Sequence, residues 1–211
     1  MSENSTSRLS PKVLSVIALL FMVLGSVGLD QVSKYHSQTE LMVWTDEEDP
    51  TKYQGHRYPI FSIGESARSA DGFYLSFGWN YVRNLGAAWG ALSNLPDNIR
   101  VPFFYLVTFV AVIIIGIYMK STPVEHRLAR FALSLILSGA VGNFIDRLSQ
   151  GFVIDFIDVR WRIFGWRYDF PNFNIADCAI TVGVSLLMYD MLVLETQRRR
   201  LAEAEEKPAA A

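Results

Sequence analysis

Four apolar runs divide the chain, at residues 13–29, 101–119, 131–145 and 178–194, and the only charge in any of them is Asp190, near the far end of the last. The apolar residues come in blocks, without the periodicity of an amphipathic helix or a half-buried strand. Runs of this length predict membrane-crossing helices, with spans at about 13–30, 101–119, 131–147 and 177–194. The first run exceeds the apolar centre of a secretory signal and has no small-x-small cleavage site before Asp30, so it predicts a retained span. Pro102 suits the first turn of the second. In the third, Ser138, Gly139, Ala140 and Gly142 permit a neighbouring helix to approach closely.

The polar segments carry a different pattern. Over residues 73–83, Phe73, Leu75, Phe77, Trp79 and Tyr81 alternate with smaller or polar residues, which predicts a strand with an aromatic face suited to the lipid interface. HRYPIFSIG, residues 56–64, predicts a second strand. GFVIDFIDVRW and GWRYDF, residues 151–161 and 165–170, predict two more that turn near Phe164-Gly165. WTDEEDPTKY, residues 44–53, is acidic and turn-like, and NLGAAWG, residues 84–90, predicts a tight turn leading into a short helix or a close backbone approach to a ligand. Pro171 ends the extended stretch, Asn174 is placed to cap the last helix, and Asp177 falls in its first turn. Residues 1–10 and the tail at 198–211 are polar and predicted to lie outside any packed core. The expected fold is therefore mainly α: one integral-membrane domain over residues 1–211, a bundle of four transmembrane helices with a small extracytoplasmic β-sheet or cradle from residues 40–90 and 152–170.

Composition narrows the function. A formal net charge of -2 argues against a nucleic-acid partner. The single cysteine, Cys178, excludes an intrachain disulfide and a thiolate zinc site, and the three histidines, His36, His56 and His126, lack metalloprotease spacing, so neither metal nor cofactor is expected. A serine mechanism lacks its GxSxG elbow. Basic residues gather at Arg8 and Lys12, at Lys120, Arg127 and Arg130, and at Arg198 to Arg200, which predicts cytoplasmic termini. Arg160, Arg162 and Arg167 run against that rule, but the opposite orientation exposes three basic clusters outside.

Four acids, Asp146, Asp155, Asp158 and Asp177, then fall at the outer membrane surface, where an ionised carboxylate is costly unless paired, hydrated or neutralised. Asp155 and Asp177 lie on separate elements that can bring them together, and two carboxylates sharing a proton supply a base and an acid. Asp146 competes for that role, though Arg147 beside it is suited to hold it ionised. Asp30 and Lys34, four apart, read either as an ion pair closing the first span or as the rim of a site. A transporter using its acids as a proton relay needs them at several depths, whereas here they cluster at one face. A non-enzymatic scaffold survives loss of all four.

The motifs DQVSK (30–34), NLGAAWG (84–90), GAVGNFIDR (139–147), VIDFID (153–158) and FNIADCAI (173–180) occur in an order that resembles lipoprotein signal peptidase, the type II signal peptidase of bacteria, an integral-membrane aspartyl protease. The departures are Ser33, where that family often has Thr, and a longer polar stretch around residues 40–72. The resemblance implies cleavage of a prolipoprotein signal peptide just before a diacylglyceryl-modified cysteine, in the bacterial inner membrane, beside phospholipid, and inhibition by globomycin-type cyclic peptides. It assigns catalysis to Asp155 and Asp177, and substrate binding or shaping of the site to Asn84, Gly86, Asn143, Asp146, Arg147, Asn174 and Ala176. Asp30 and Lys34 match a motif of architectural character.

Overall fold

The computed structural model describes residues 10–44, 53–64, 72–86 and 91–206. Helix α1, Pro11–Leu41, starts where the Ser10 hydroxyl accepts the Val13 N–H and Pro11 occupies the first turn. It runs 31 residues and passes well beyond the expected end of its span. The reason is tertiary. Asp30, Lys34 and Ser37 recur at helical spacing and all three are buried, so the helix continues as long as that face has partners.

Helices α2, Asp97–Ser121, and α3, Arg127–Gln150, form the second and third spans, and α4, Ile175–Tyr189, continues through a wide π-type turn, Asp190–Leu194, into α5, Glu195–Glu206. Among the described residues, four helices are long and apolar enough to cross a membrane. Helix α3 is the central one: Ser134, Ser138, Gly139 and Gly142 are buried along it, and its small side chains let α1 and α4 approach. It stops at Gly151, whose φ of 78° permits the left-handed cap and whose N–H donates to Arg147 O at 3.0 Å. At the end remote from the sheet, Arg198 binds both carboxylate oxygens of Asp190, at 3.0 and 3.2 Å.

Strands β1, Met42–Trp44, and β2, Tyr53–Gly55, pair with each other. Strands β3, Tyr58–Gly64, β4, Tyr74–Asn84, β5, Val153–Ile163, and β6, Trp166–Asp169, form an antiparallel sheet in that order. Phe164 and Gly165 both have positive φ, 51° and 79°, the geometry of a two-residue type I′ turn, and they join β5 to β6 where the sequence placed the reversal. The expected aromatic ribbon is an inner strand of this sheet. Trp79 stacks on Phe156 with ring centroids 5.2 Å apart and its indole N–H donates to the Ser37 hydroxyl, so this member of the ribbon packs on protein. The acidic turn at 45–52 and positions 87–90 of NLGAAWG lie outside the described residues, as do 1–9 and 207–211.

Candidate active site

Where α1, α3, β5 and the start of α4 meet, charged side chains are buried together. Lys34 is 1% exposed, and its Nζ lies 2.8 Å from Asp30 Oδ2 and 3.0 Å from Asp146 Oδ2. The other oxygens of these acids are also engaged. Asp30 Oδ1 accepts the Ala176 N–H at 2.9 Å, Asp146 Oδ1 accepts from Gln31 Nε2 at 2.8 Å, and Asp146 Oδ2 also accepts the Ile154 N–H at 3.0 Å. Asp30, Lys34 and Asp146 thus each have opposite charge and hydrogen bonds around them, the condition under which such groups survive in the interior. The cluster ties α1 to α3, β5 and α4 through specific atoms.

Against this cluster sit Asp155 and Asp177. Asp155, on β5 opposite Val82 in the register with β4, is 3% exposed. Its Oδ1 accepts from Asn174 Nδ2 at 2.7 Å and its Oδ2 from Asn84 Nδ2 at 2.8 Å. Asp177 is half-buried at the third position of α4. It accepts from Asn143 Nδ2 at 2.8 Å through Oδ1 and from the Asn174 backbone N–H at 3.2 Å through Oδ2, while Asn174 Oδ1 accepts the Asp177 N–H at 2.9 Å. That reciprocal pair is a capping box, so Asp177 both caps its helix and faces the site. Asn174 touches both acids, one through its side chain and the other through its backbone. Burial first, and the adjacent Asp177 carboxylate second, push Asp155 up to about 7, against the Asn84 and Asn174 amides and the Lys34 charge, which pull it down.

Arg147 faces the same space from α3. Its guanidinium donates to Gly86 O at 3.0 Å and lies over the Phe104 ring, 4.4 Å from its centroid. The Gly86 N–H donates to Asn84 Oδ1 at 2.9 Å, which ties the turn after β4 to the strand-end residue that holds Asp155. Asp158 is directed elsewhere in the sheet, between Arg57 and Arg160.

The structure brings Asn84, Gly86, Asn143, Arg147, Asp155, Asn174 and Asp177 together at one end of the bundle. One expectation requires correction. Lys34, not Arg147, is the cation that holds Asp146, because Arg147 is turned toward Gly86 and Phe104. Asp146 and Ala176, assigned by the resemblance to binding substrate or shaping the site, are each 1% exposed and lie in the frame behind the acids. Gln31 was not singled out from sequence, yet it donates to Asp146 and to Gly142 O at 3.1 Å. Its position beside Asp30 in DQVSK was the available signal.

Gly142 is a tight point of this frame: a Cβ there would lie 2.6 Å from Asp30 Oδ2, an atom already held by Lys34. Gly142→Ala is expected to lower stability by about 1–3 kcal/mol through overpacking. The check is thermal unfolding in detergent, where an unchanged Tm contradicts the close approach.

With the geometry in place, comparison with known proteins identifies relatives. The family described as Signal peptidase (SPase) II matches residues 20–193. A lipoprotein signal peptidase of Anaeromyxobacter sp. (strain Fw109-5) is 41% identical over 182 residues, 82% of this chain and 83% of that protein. One of Geobacter metallireducens (strain ATCC 53774 / DSM 7210 / GS-15) is 51% identical over 116 residues, 55% of this chain and 68% of that protein. A bacterial membrane enzyme solved by the in meso method at 2.3 Å resolution superposes with a TM-score of 0.58 at 30% identity, covering 92% of this chain and 93% of that one.

Proposed function

The chain belongs to the signal peptidase II family, and we propose that it cleaves diacylglyceryl-modified prolipoproteins just before the lipidated cysteine, with Asp155 and Asp177 as the reacting acids. The observation that carries this reading is the way Asn174 engages both carboxylates from its side chain and its backbone. Two acids in such a setting titrate as a pair, with one proton between them. The proton resides on Asp155, which is the more enclosed, and the charge on Asp177, at the positive end of α4. Asp177 takes a proton from water as the water oxygen bonds to the scissile carbonyl carbon, and Asp155 gives its proton to the carbonyl oxygen. The tetrahedral adduct then breaks its C–N bond as Asp177 passes the water-derived proton to the leaving amine and one hydroxyl of the adduct returns its proton to Asp155, which restores both acids. Arg147 and Asn84 border the dyad and serve to orient the peptide. The proton-relay alternative is not favoured, because the acids lie at one end of the bundle and most are already paired.

The finer setting follows the same reading. The protein lies in the bacterial inner membrane with both termini cytoplasmic and the dyad at the outer face, so that the lipidated residue remains among phospholipids during cleavage. The purified protein incubated with a diacylglyceryl-modified precursor should release the signal peptide, and a globomycin-type cyclic peptide should block that release. No product under these conditions rejects the assignment.

A pH dependence follows from Asp155. The acid must be protonated to donate, and its carboxyl is pushed up to about 7, so kcat/KM is expected to fall as pH rises through about 7. A rate that stays level up to pH 9 contradicts Asp155 as the proton donor.

A further inference from the structure

We infer that Lys34 is a positioning residue for the two acids: its ammonium sets the orientation of the Asn143 amide, and through it that of Asn174, so that each amide presents a donor to one carboxylate. This rests on the dyad reading above and departs from a purely architectural role for the first motif. A side-chain amide is nearly symmetric in shape, and only its partners decide which end carries the oxygen. A lysine ammonium has no acceptor. Nζ lies 3.0 Å from Asn143 Oδ1, which forces the oxygen toward Lys34 and turns Nδ2 to Asp177 Oδ1 at 2.8 Å. The same Asn143 oxygen accepts from Asn174 Nδ2 at 3.2 Å, and that Nδ2 is the donor that reaches Asp155 Oδ1 at 2.7 Å.

Lys34 is itself fixed. Its three N–H groups are matched by three acceptors, Asp30, Asp146 and Asn143, in a buried setting. Were it replaced by a residue unable to donate, Asn143 would be free to turn and set its oxygen against the Asp177 carboxylate. The charged groups facing the dyad are then Asp30 and Lys34 from α1, Asp146 and Arg147 from α3, and the two acids themselves. Lys34 also draws the titration of Asp155 downward, so its removal raises the pH at which that proton is lost.

Replacing Lys34 alone strands two buried acids, so the informative variant is the pair Lys34→Met with Asp146→Asn, which leaves the net charge of the Asp30, Lys34 and Asp146 group unchanged. In the full-length protein, assayed on a lipidated precursor peptide, the expected result is a fall in kcat of tenfold or more. KM should stay within twofold and the alkaline limb of the pH profile should move upward. A folded double variant with the wild-type kcat and profile overturns the proposal, as does a change confined to KM. Should the pair not accumulate, Lys34→Arg is read instead, since it keeps the charge but moves the donor; wild-type kcat there overturns the proposal equally. In an Asn143→Ala background the same Lys34 changes should alter kcat by less than twofold, and fully multiplicative losses overturn the relay. Retained cleavage in Asp155→Asn or Asp177→Asn removes the dyad reading itself. Loss in both with a normal Lys34 pair removes the relay alone.

Discussion

Asp155→Asn and Asp177→Asn are each expected to reduce cleavage of a lipidated precursor by at least about 10²–10⁴-fold, the range for removing a positioned acid or base. The two variants should differ in what else they lose. Asn at position 155 presents an NH2 group to one of two donors, Asn84 or Asn174, and so disturbs the local network. Asn at position 177 keeps an oxygen for only one of its two partners and weakens the capping box, at a cost of about 0.5–2 kcal/mol. Membrane insertion should survive in both, since neither acid belongs to the charged cluster that joins the helices. Signal-peptide release measured beside detergent-extractable yield separates the two effects, and full activity in either variant excludes the pair.

Lys34→Ala is expected to be the most damaging single change to folding. It leaves Asp30 and Asp146, each 1% exposed, without their shared cation. Removing one partner of a buried ion pair costs about 3–5 kcal/mol, whereas exchanging the whole arrangement for neutral groups of similar size costs much less. The Lys34→Met, Asp146→Asn pair should therefore be distinctly more stable than Lys34→Ala. Thermal unfolding in the same detergent makes the comparison, and equal Tm values for the two refute the electrostatic account. Neutralising Asp146 alone is the useful third point, because Lys34 then keeps Asp30 and Asn143.

Much of this architecture is legible in local pattern. The apolar runs locate the spans, Phe164-Gly165 locates the reversal between β5 and β6, and Asn174 followed by Asp177 marks the start of α4 with its cap. What local pattern misses is pairing between distant segments. Nothing near Asp146 in sequence announces Lys34, and adjacency suggested Arg147 instead. Only the packing of α1 on α3 makes the more distant partner the nearer one. The same packing explains why α1 runs on to Leu41, beyond the point where its apolar run ends. The role of Asn143 was likewise open from sequence, because an amide takes its meaning from the groups it faces.

The backbone around Phe173 has a mechanical consequence. Its carbonyl accepts the N–H groups of Phe156 and Ile157 at 3.0 and 2.8 Å, and its own N–H donates to Ile157 O at 3.2 Å, while Ile157 is paired on its other side with Trp79. The strand bearing Asp155, one of the two acids we propose to react, is thereby stitched to the segment that leads into Asp177, the other. A hinge between sheet and bundle would tear those stitches and pull the reacting pair apart. On the proposed reading the jaws are welded at the point of cutting, and the precursor travels to a preset blade.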